Sequence, residues 1–278
     1  MRHRFSLYVA ELCFCSVLIA VLCTPSAEAQ QAKPSKASQK LLAMKPMDIL
    51  NACLAKAETL EQFTQHFTKQ ERLGGKLQET ETMFLKYRAK PLSIYMKWIK
   101  DPHKGREIIY VEGRHKGKAV LHEYVALLNV LVKMDPNSAE TKKRSRRPIT
   151  AAGIRNATRS LVDVSERARK RGQMTLTTLG IDEVDGKQTV VLCRQLEKHK
   201  DCFVYMTIIH IDPELMLPVK VIGYDWDHTL SWIYKSGNFD TTVKLTDEDF
   251  NPKNREYDYP SLIGLELPKL WPFGKKDK

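Results

Sequence analysis

The sequence predicts an α+β protein: one large, curved antiparallel sheet of about ten strands, a half-open β-barrel, closed by two or three helices. Three observations lead there. Short runs with period-two alternation follow one another, separated by tight turn signals. Helical spacing appears in only two clear stretches, one ahead of the strands and one midway. No fixed repeat of 20–50 residues is visible, so a solenoid or propeller is excluded.

Residues 1–29 read as a secretory signal. Arg2, His3 and Arg4 form a basic start, an apolar stretch runs from Phe5 to Cys23, and Ala27-Glu28-Ala29 supplies a small-residue site with cleavage expected before Gln30. The reading places the protein in the periplasm or otherwise in the cell envelope. No other run is long and apolar enough to span a bilayer, so it is not expected to be an integral membrane protein after cleavage. Residues 30–45 are polar and read as a linker.

A single domain is expected over 46–250. Met47, Leu50, Leu54, Ala57 and Leu60 recur at near-helical spacing behind Pro46 and Asp48. Strand-like segments follow: Phe63 to Arg72, closed by Gly74-Gly75; 78–88; a third after Lys90-Pro91; Arg106 to Glu112; and Ala119 to His122. Tyr124 to Met134 is apolar and reads as a helix or a flap. Lys142 to Pro148 reads as an exposed basic loop. A helix is expected from about Thr150 to Lys170, with Ile154, Ala157, Leu161, Ser165 and Ala168 on one stripe. Strands resume at 173–180, 188–196, 202–211, 218–226 and 229–235, punctuated by Asp185-Gly186, Asp212-Pro213 and Asp227-His228. Residues 251–278 form a Pro-interrupted apolar and basic tail, expected to pack over a sheet edge or move freely.

Of 278 residues, 45 are Lys or Arg and 33 are Asp or Glu, a net +12. The signal removes Arg2 and Arg4 together with Glu11 and Glu28, so the mature chain keeps that excess. Much of it lies in Lys142, Lys143, Arg144, Arg146 and Arg147 and on the helix that carries Arg155 and Arg159. In a cytosolic protein this would read as a phosphate-backbone footprint. Export turns the expectation away from nucleic acid and toward an anionic envelope surface. Three cysteines remain after cleavage, Cys53, Cys193 and Cys202; Cys193 and Cys202 flank a polar loop, where a hairpin disulfide would fit, while Cys53 reads as core.

Little in the sequence points to catalysis. His210 and Asp212 on one strand, with Asp225 and His228 at a hairpin, would be the ligands of a metal-dependent hydrolase; turn chemistry explains the same residues. There is no nucleophile elbow, zincin or phosphate-binding loop. The protein is therefore expected not to be an enzyme and to hold no metal or cofactor. Met83, Leu85, Ile94, Met96, Trp98, Ile109 and Val111 fall on apolar sheet faces. A subset lining a cavity would bind acyl chains through buried area alone.

Phe63-Thr64-Gln65, Gln70-Glu71-Arg72, Arg88-Ala89-Lys90-Pro91, Met96-Lys97-Trp98, Gly105 to Gly113 and Arg147 to Gly153 form distinctive blocks. They resemble an uncharacterised family of secreted proteins found mainly in planctomycete-type bacteria and known only as a domain of unknown function. The resemblance spans about residues 50–240. More remotely, Phe67 and Gln70, Lys90-Pro91, Trp98 and Glu112-Gly113 occupy places similar to those of the periplasmic lipoprotein-carrier (LolA/LolB-like) superfamily. Glu112 departs from the usual Asp, and the 140–170 region is longer. The resemblance implies an incomplete antiparallel barrel whose helices plug an apolar cavity. It also implies a carrier or sensor of acyl chains or lipidated partners. The other expectations are a ligand-free interaction module of the envelope and the metal-dependent hydrolase.

Overall fold

The computed structural model describes residues 33–125 and 128–260; the expected signal segment and the tail beyond 260 lie outside them. All elements belong to a unit that starts at Pro34. The strands are β1 (Gln62–Leu73), β2 (Lys76–Leu77), β3 (Glu81–Arg88), β4 (Ser93–Trp98), β5 (Glu107–Val111), β6 (Ala119–Val125), β7 (Leu128–Met134), β8 (Met174–Val184), β9 (Lys187–Leu196), β10 (Met206–Asp212), β11 (Leu217–Tyr224) and β12 (Leu230–Asp240). The helices are α1 (Lys36–Leu42), α2 (Pro46–Glu58), α3 (Ala139–Arg144) and α4 (Ile154–Lys170).

All pairings are antiparallel, and the main sheet runs β7-β6-β5-β4-β3-β1-β12-β11-β10-β9-β8 with β2 attached to β1. The first strand therefore sits in the middle beside the last, and two meanders extend outward from that pair. Since β7 and β8 do not pair, the sheet stays open. This is the half-open barrel expected.

Parity along the strands sets the two faces. On the concave face Phe67 of β1 lies opposite Met83, which lies opposite Trp98; Met96, Ile108, Leu121 and Val132 form a second row across β4 to β7. α1 and α2 cover the β8–β11 side of this face through Leu41, Ile49, Leu50 and Cys53 against Val190, Leu192, Ile209 and Ile211. α4 is amphipathic as predicted, except that Ala157 of the expected stripe is exposed. Its buried stripe comprises Ile154, Thr158, Leu161, Val162, Ser165 and Ala168. The two hydroxyls within it, on Thr158 and Ser165, donate to the carbonyls of Ile154 and Leu161 at 2.7 and 2.8 Å, so neither is buried unsatisfied.

Four expectations change. Tyr124 to Met134 is neither helix nor flap: β6 and β7 form a hairpin in which Ala119 faces Met134. β-branched Val130 and Val132 suit a strand, and the apolar composition had hidden the alternation. Residues 36–42 of the expected linker are helical, capped by the Ser35 hydroxyl, because Leu41 buries itself in the core. The expected basic loop is helical as far as Arg144, capped by Ser138. The tail's first ten residues, with Phe250 just before them, pack on the convex face: Phe250 and Tyr257 bury against Tyr95, Ile109 and Val111, with the Tyr95 and Tyr257 rings stacked at 4.2 Å.

Candidate functional site: a cavity under α4

A cavity of about 860 Å³ lies between the concave face and the segment Pro136–Val164. That is within the roughly 300–1,000 Å³ range of small-molecule sites. Sheet residues Phe67, Met83, Met96, Trp98, Ile108, Leu121 and Trp232 supply an apolar floor, and Ile149, Ile154, Ala157, Leu161 and Val164 supply the roof. Two of the large hydrophobic residues that stay exposed, Tyr124 at 54% and Phe203 at 76%, also line it, on the β6 side and beside β9 and β10.

Of the seven cavity candidates, Met83, Met96 and Trp98 line the space. Leu85 and Ile94 share that face but are wholly buried in core. Ile109 and Val111 are a correction. Ile109 pairs with Tyr95 across β4–β5 and Val111 with Ser93, so both belong to the convex cluster; Ile108, their neighbour, is the one that faces inward. The run Ile108-Ile109-Tyr110-Val111 is apolar on both faces, so period two could not tell in from out.

The roof is tied to the floor by polar contacts. Glu71, 3% exposed, accepts from the Tyr234 hydroxyl, from the Ser145 Oγ at 3.2 Å and from the Arg146 backbone N–H at 3.3 Å, with the Lys69 ammonium at 3.4 Å. The Tyr234 phenol is raised well above its ordinary pKa, chiefly by burial and then by the Glu71 charge. Glu81 accepts from the Trp98 indole N–H and pairs with Lys69 at 3.5 Å. Glu123 pairs with Arg106 at 3.0 Å and lies 3.8 Å from Arg144. Glu71 stands in the sequence only as part of the Gln70-Glu71-Arg72 block, with no role assigned, and nothing in the sequence singles out Lys69 or Tyr234.

The basic residues do not form one flat patch. Lys143, Arg144 and Arg147 line the cavity. Lys143 pairs with Glu140 at 3.0 Å, and Arg146 donates to the Arg72 carbonyl at 3.2 Å. Lys142 is exposed. Arg155 donates to the Leu60 carbonyl at 3.0 Å and Arg159 pairs with Glu58 at 2.8 Å, so these two fasten α4 to α2. The surface expected for an anionic envelope is thus divided between a cavity rim and an interhelical clamp.

The residues of the hydrolase reading are not brought together. His210 contacts Thr189 and lies 3.6 Å from Asp182, while Asp212 accepts from the Glu214 and Leu215 amides. Asp225 and His228 sit in the β11–β12 turn, beyond the Met206 end of β10. Six residues of strand, roughly 20 Å, separate that end from Asp212. The cluster His199, Asp201 and Cys202 has metal-type side chains, but Arg167 and Arg171 already pair with Asp201 at 3.1 and 3.3 Å. His199 and the arginines hold that carboxyl far below its usual range, and two guanidiniums beside it oppose a cation. Cys193 and Cys202 are unbridged. Cys202 packs with Leu196 and Ala168 under α4, whereas Cys193, an odd number of residues from Leu196, points to the other sheet face.

No curated protein matches the chain in sequence. Among solved structures, MucB of Pseudomonas aeruginosa is 15% identical with a TM-score of 0.47, over 74% of this chain and 62% of that one. The lipoprotein LppX of Mycobacterium tuberculosis is 13% identical with a TM-score of 0.43, over 72% and 97%. A LolA superfamily protein of Nitrosomonas europaea is 9% identical with a TM-score of 0.32, over 75% and 98%. A family model, "Protein of unknown function (DUF1571)", matches residues 60–259. That match begins two residues before β1 and ends at Tyr259, whose hydroxyl donates to the Val120 carbonyl, so it encloses the whole sheet and the strap over its convex face. The chain belongs to the DUF1571 family.

Proposed function

We propose that the protein is a non-enzymatic, exported component of the cell envelope that holds the acyl part of a lipid, or of a lipidated partner, in the cavity beneath α4. The observation that carries this reading is the 860 Å³ space floored by Met83, Met96, Trp98 and Leu121. A folded protein of this composition would ordinarily fill such a volume with side chains. Each methylene placed there is worth about 0.8 kcal/mol, so a ten-carbon segment supplies about 8 kcal/mol before the cost of ordering it. The rim residues Lys143, Arg144 and Arg147 favour approach to an anionic envelope surface, and exposed Phe203 and Tyr124 give an acyl chain apolar ground on which to enter.

The test is lipid mass spectrometry on the chain from Gln30, purified from an expressing bacterium and extracted with organic solvent. Stoichiometric acyl ligand is expected, lost when Ala157→Trp fills the cavity. Protein that carries no lipid and takes up none from mixed phospholipid vesicles refutes the reading and leaves a ligand-free interaction module.

A further inference from the structure

The cations of the cavity are balanced, with two exceptions. Lys69 has Glu71 and Glu81, Arg106 and Arg144 have Glu123, and Lys143 has Glu140. Arg147 and Arg194 have no carboxylate within ion-pair distance among the described residues. Arg194 stands on β9 at the α4 end of the cavity and is 4% exposed. Its Nη1 donates to the Leu161 carbonyl at 3.0 Å and to the Ser165 Oγ at 2.9 Å, and its Nη2 donates to the Thr207 Oγ1 at 3.0 Å. All three acceptors are neutral, and its Nε has no partner. Asp201, the acid that lines this end, is taken by Arg167 and Arg171.

Arg147 adds to the imbalance. It lines the same cavity, donates to the Ser160 Oγ at 3.2 Å and lies near enough to Arg194 to repel it. Burial first, and this repulsion in the same direction, bring the Arg194 guanidinium down to about 10, still charged at neutral pH. A buried cation is normally paired, because the desolvation it suffers needs an opposing charge to offset it. Here the protein supplies only dipoles, and it orients them to hold the guanidinium in place.

We infer that the ligand supplies the missing charge: an acyl chain ending in an anionic oxygen head, seated against Arg194 and Arg147 beneath the Ser160–Val164 turn of α4, with its tail running over Trp232 toward the floor of Met83, Met96 and Trp98. The inference rests on the cavity being an acyl site. A guanidinium matches planar carboxylates and tetrahedral phosphates alike, so both heads belong to the class.

The test uses the chain from Gln30, stripped of bound lipid on a hydrophobic resin. Dissociation constants are measured by displacement of a fluorescent acyl probe with palmitate, hexadecyl phosphate and uncharged hexadecanol. At least one of the two anions is expected to bind tenfold or more tighter than hexadecanol, and the tighter of them names the head. Arg194→Gln should bring that ratio to near one while leaving hexadecanol affinity unchanged, and Arg194→Lys should keep part of it. Should Arg194→Gln fail to fold, Arg147→Gln, at an exposed position, is expected to lower the ratio about threefold. Hexadecanol binding as tightly as both anions overturns the inference and leaves the acyl site standing. If none of the three ligands binds, both readings fall together.

Discussion

Gly153 is the N-cap of α4, with φ +87° and ψ 147°. Non-glycine residues avoid this region, at a cost of about 1–3 kcal/mol. A Cβ placed there would stand 2.8 Å from Cδ2 and 3.2 Å from Cε2 of Tyr87, and 3.4 Å from the Phe63 ring. Neither ring has room to retreat: the two stack at 4.7 Å, are 2% and 0% exposed, and the Tyr87 hydroxyl bonds to Asn156. Overpacking of this kind costs a further 1–3 kcal/mol or so. Gly153→Ala is therefore expected to cost about 2–6 kcal/mol, which at roughly 2–4 °C per kcal/mol lowers Tm by about 4–24 °C. Gly172, just beyond the other end of α4, is the control. Its φ is +70° but nothing lies within 4 Å of its Cβ position, so Gly172→Ala should cost only about 1–2 kcal/mol of backbone strain. Urea denaturation of both variants at pH 7.5 measures the difference. If the two lose the same stability, α4 does not start against the Phe63–Tyr87 stack, and the cavity roof is not where it is described.

Other consequences can be measured as directly. Glu71→Gln removes the charge that holds Ser145 and the Arg146 amide, and should cost about 2–4 kcal/mol and speed tryptic cleavage at Arg144 and Arg146; unchanged cleavage would show that the roof is held by other contacts. His122 is fully buried, and burial, reinforced by Lys97, lowers its pKa. The unfolded chain therefore takes up its proton first, so the stability it contributes is complete above about pH 6.5 and is lost as pH falls toward the depressed folded value. His122→Gln should flatten that loss by up to about 1.4 kcal/mol per pH unit in urea midpoints between pH 7.5 and 5.5. With Cys193 and Cys202 on opposite sheet faces, thiol titration of the denatured chain from Gln30 should find three free thiols; a count of one would mean the pair is bridged.

The meander and its covering helices were legible because they rest on local rules. Tight turns, period two in β1, β3 and β4, and the apolar stripe of α4 need nothing beyond near neighbours in the chain. The inward positions of Met83, Met96 and Trp98 could be read for the same reason, since polar Lys86 and Lys97 alternate with the apolar residues of their strands. Where the alternation vanished, so did the information. Ile108 and Ile109 are equally apolar because both faces of β5 are covered, one by the roof and one by the strap that carries Phe250 and Tyr257. Only long-range packing assigns them.

The positive charge shows the same division most clearly. By itself the sequence determined that the chain carries a net +12 and that much of it gathers in 142–171. Which of those cations find partners was decided in three dimensions, by Glu58 of α2, Glu123 of β6 and Asp201 beyond β9. Arg194, remote from that cluster in the chain, became conspicuous only when folding withdrew it from water with no acid beside it. Charge is a property of composition. Its compensation depends on distances between residues far apart in sequence, and tertiary structure alone sets those.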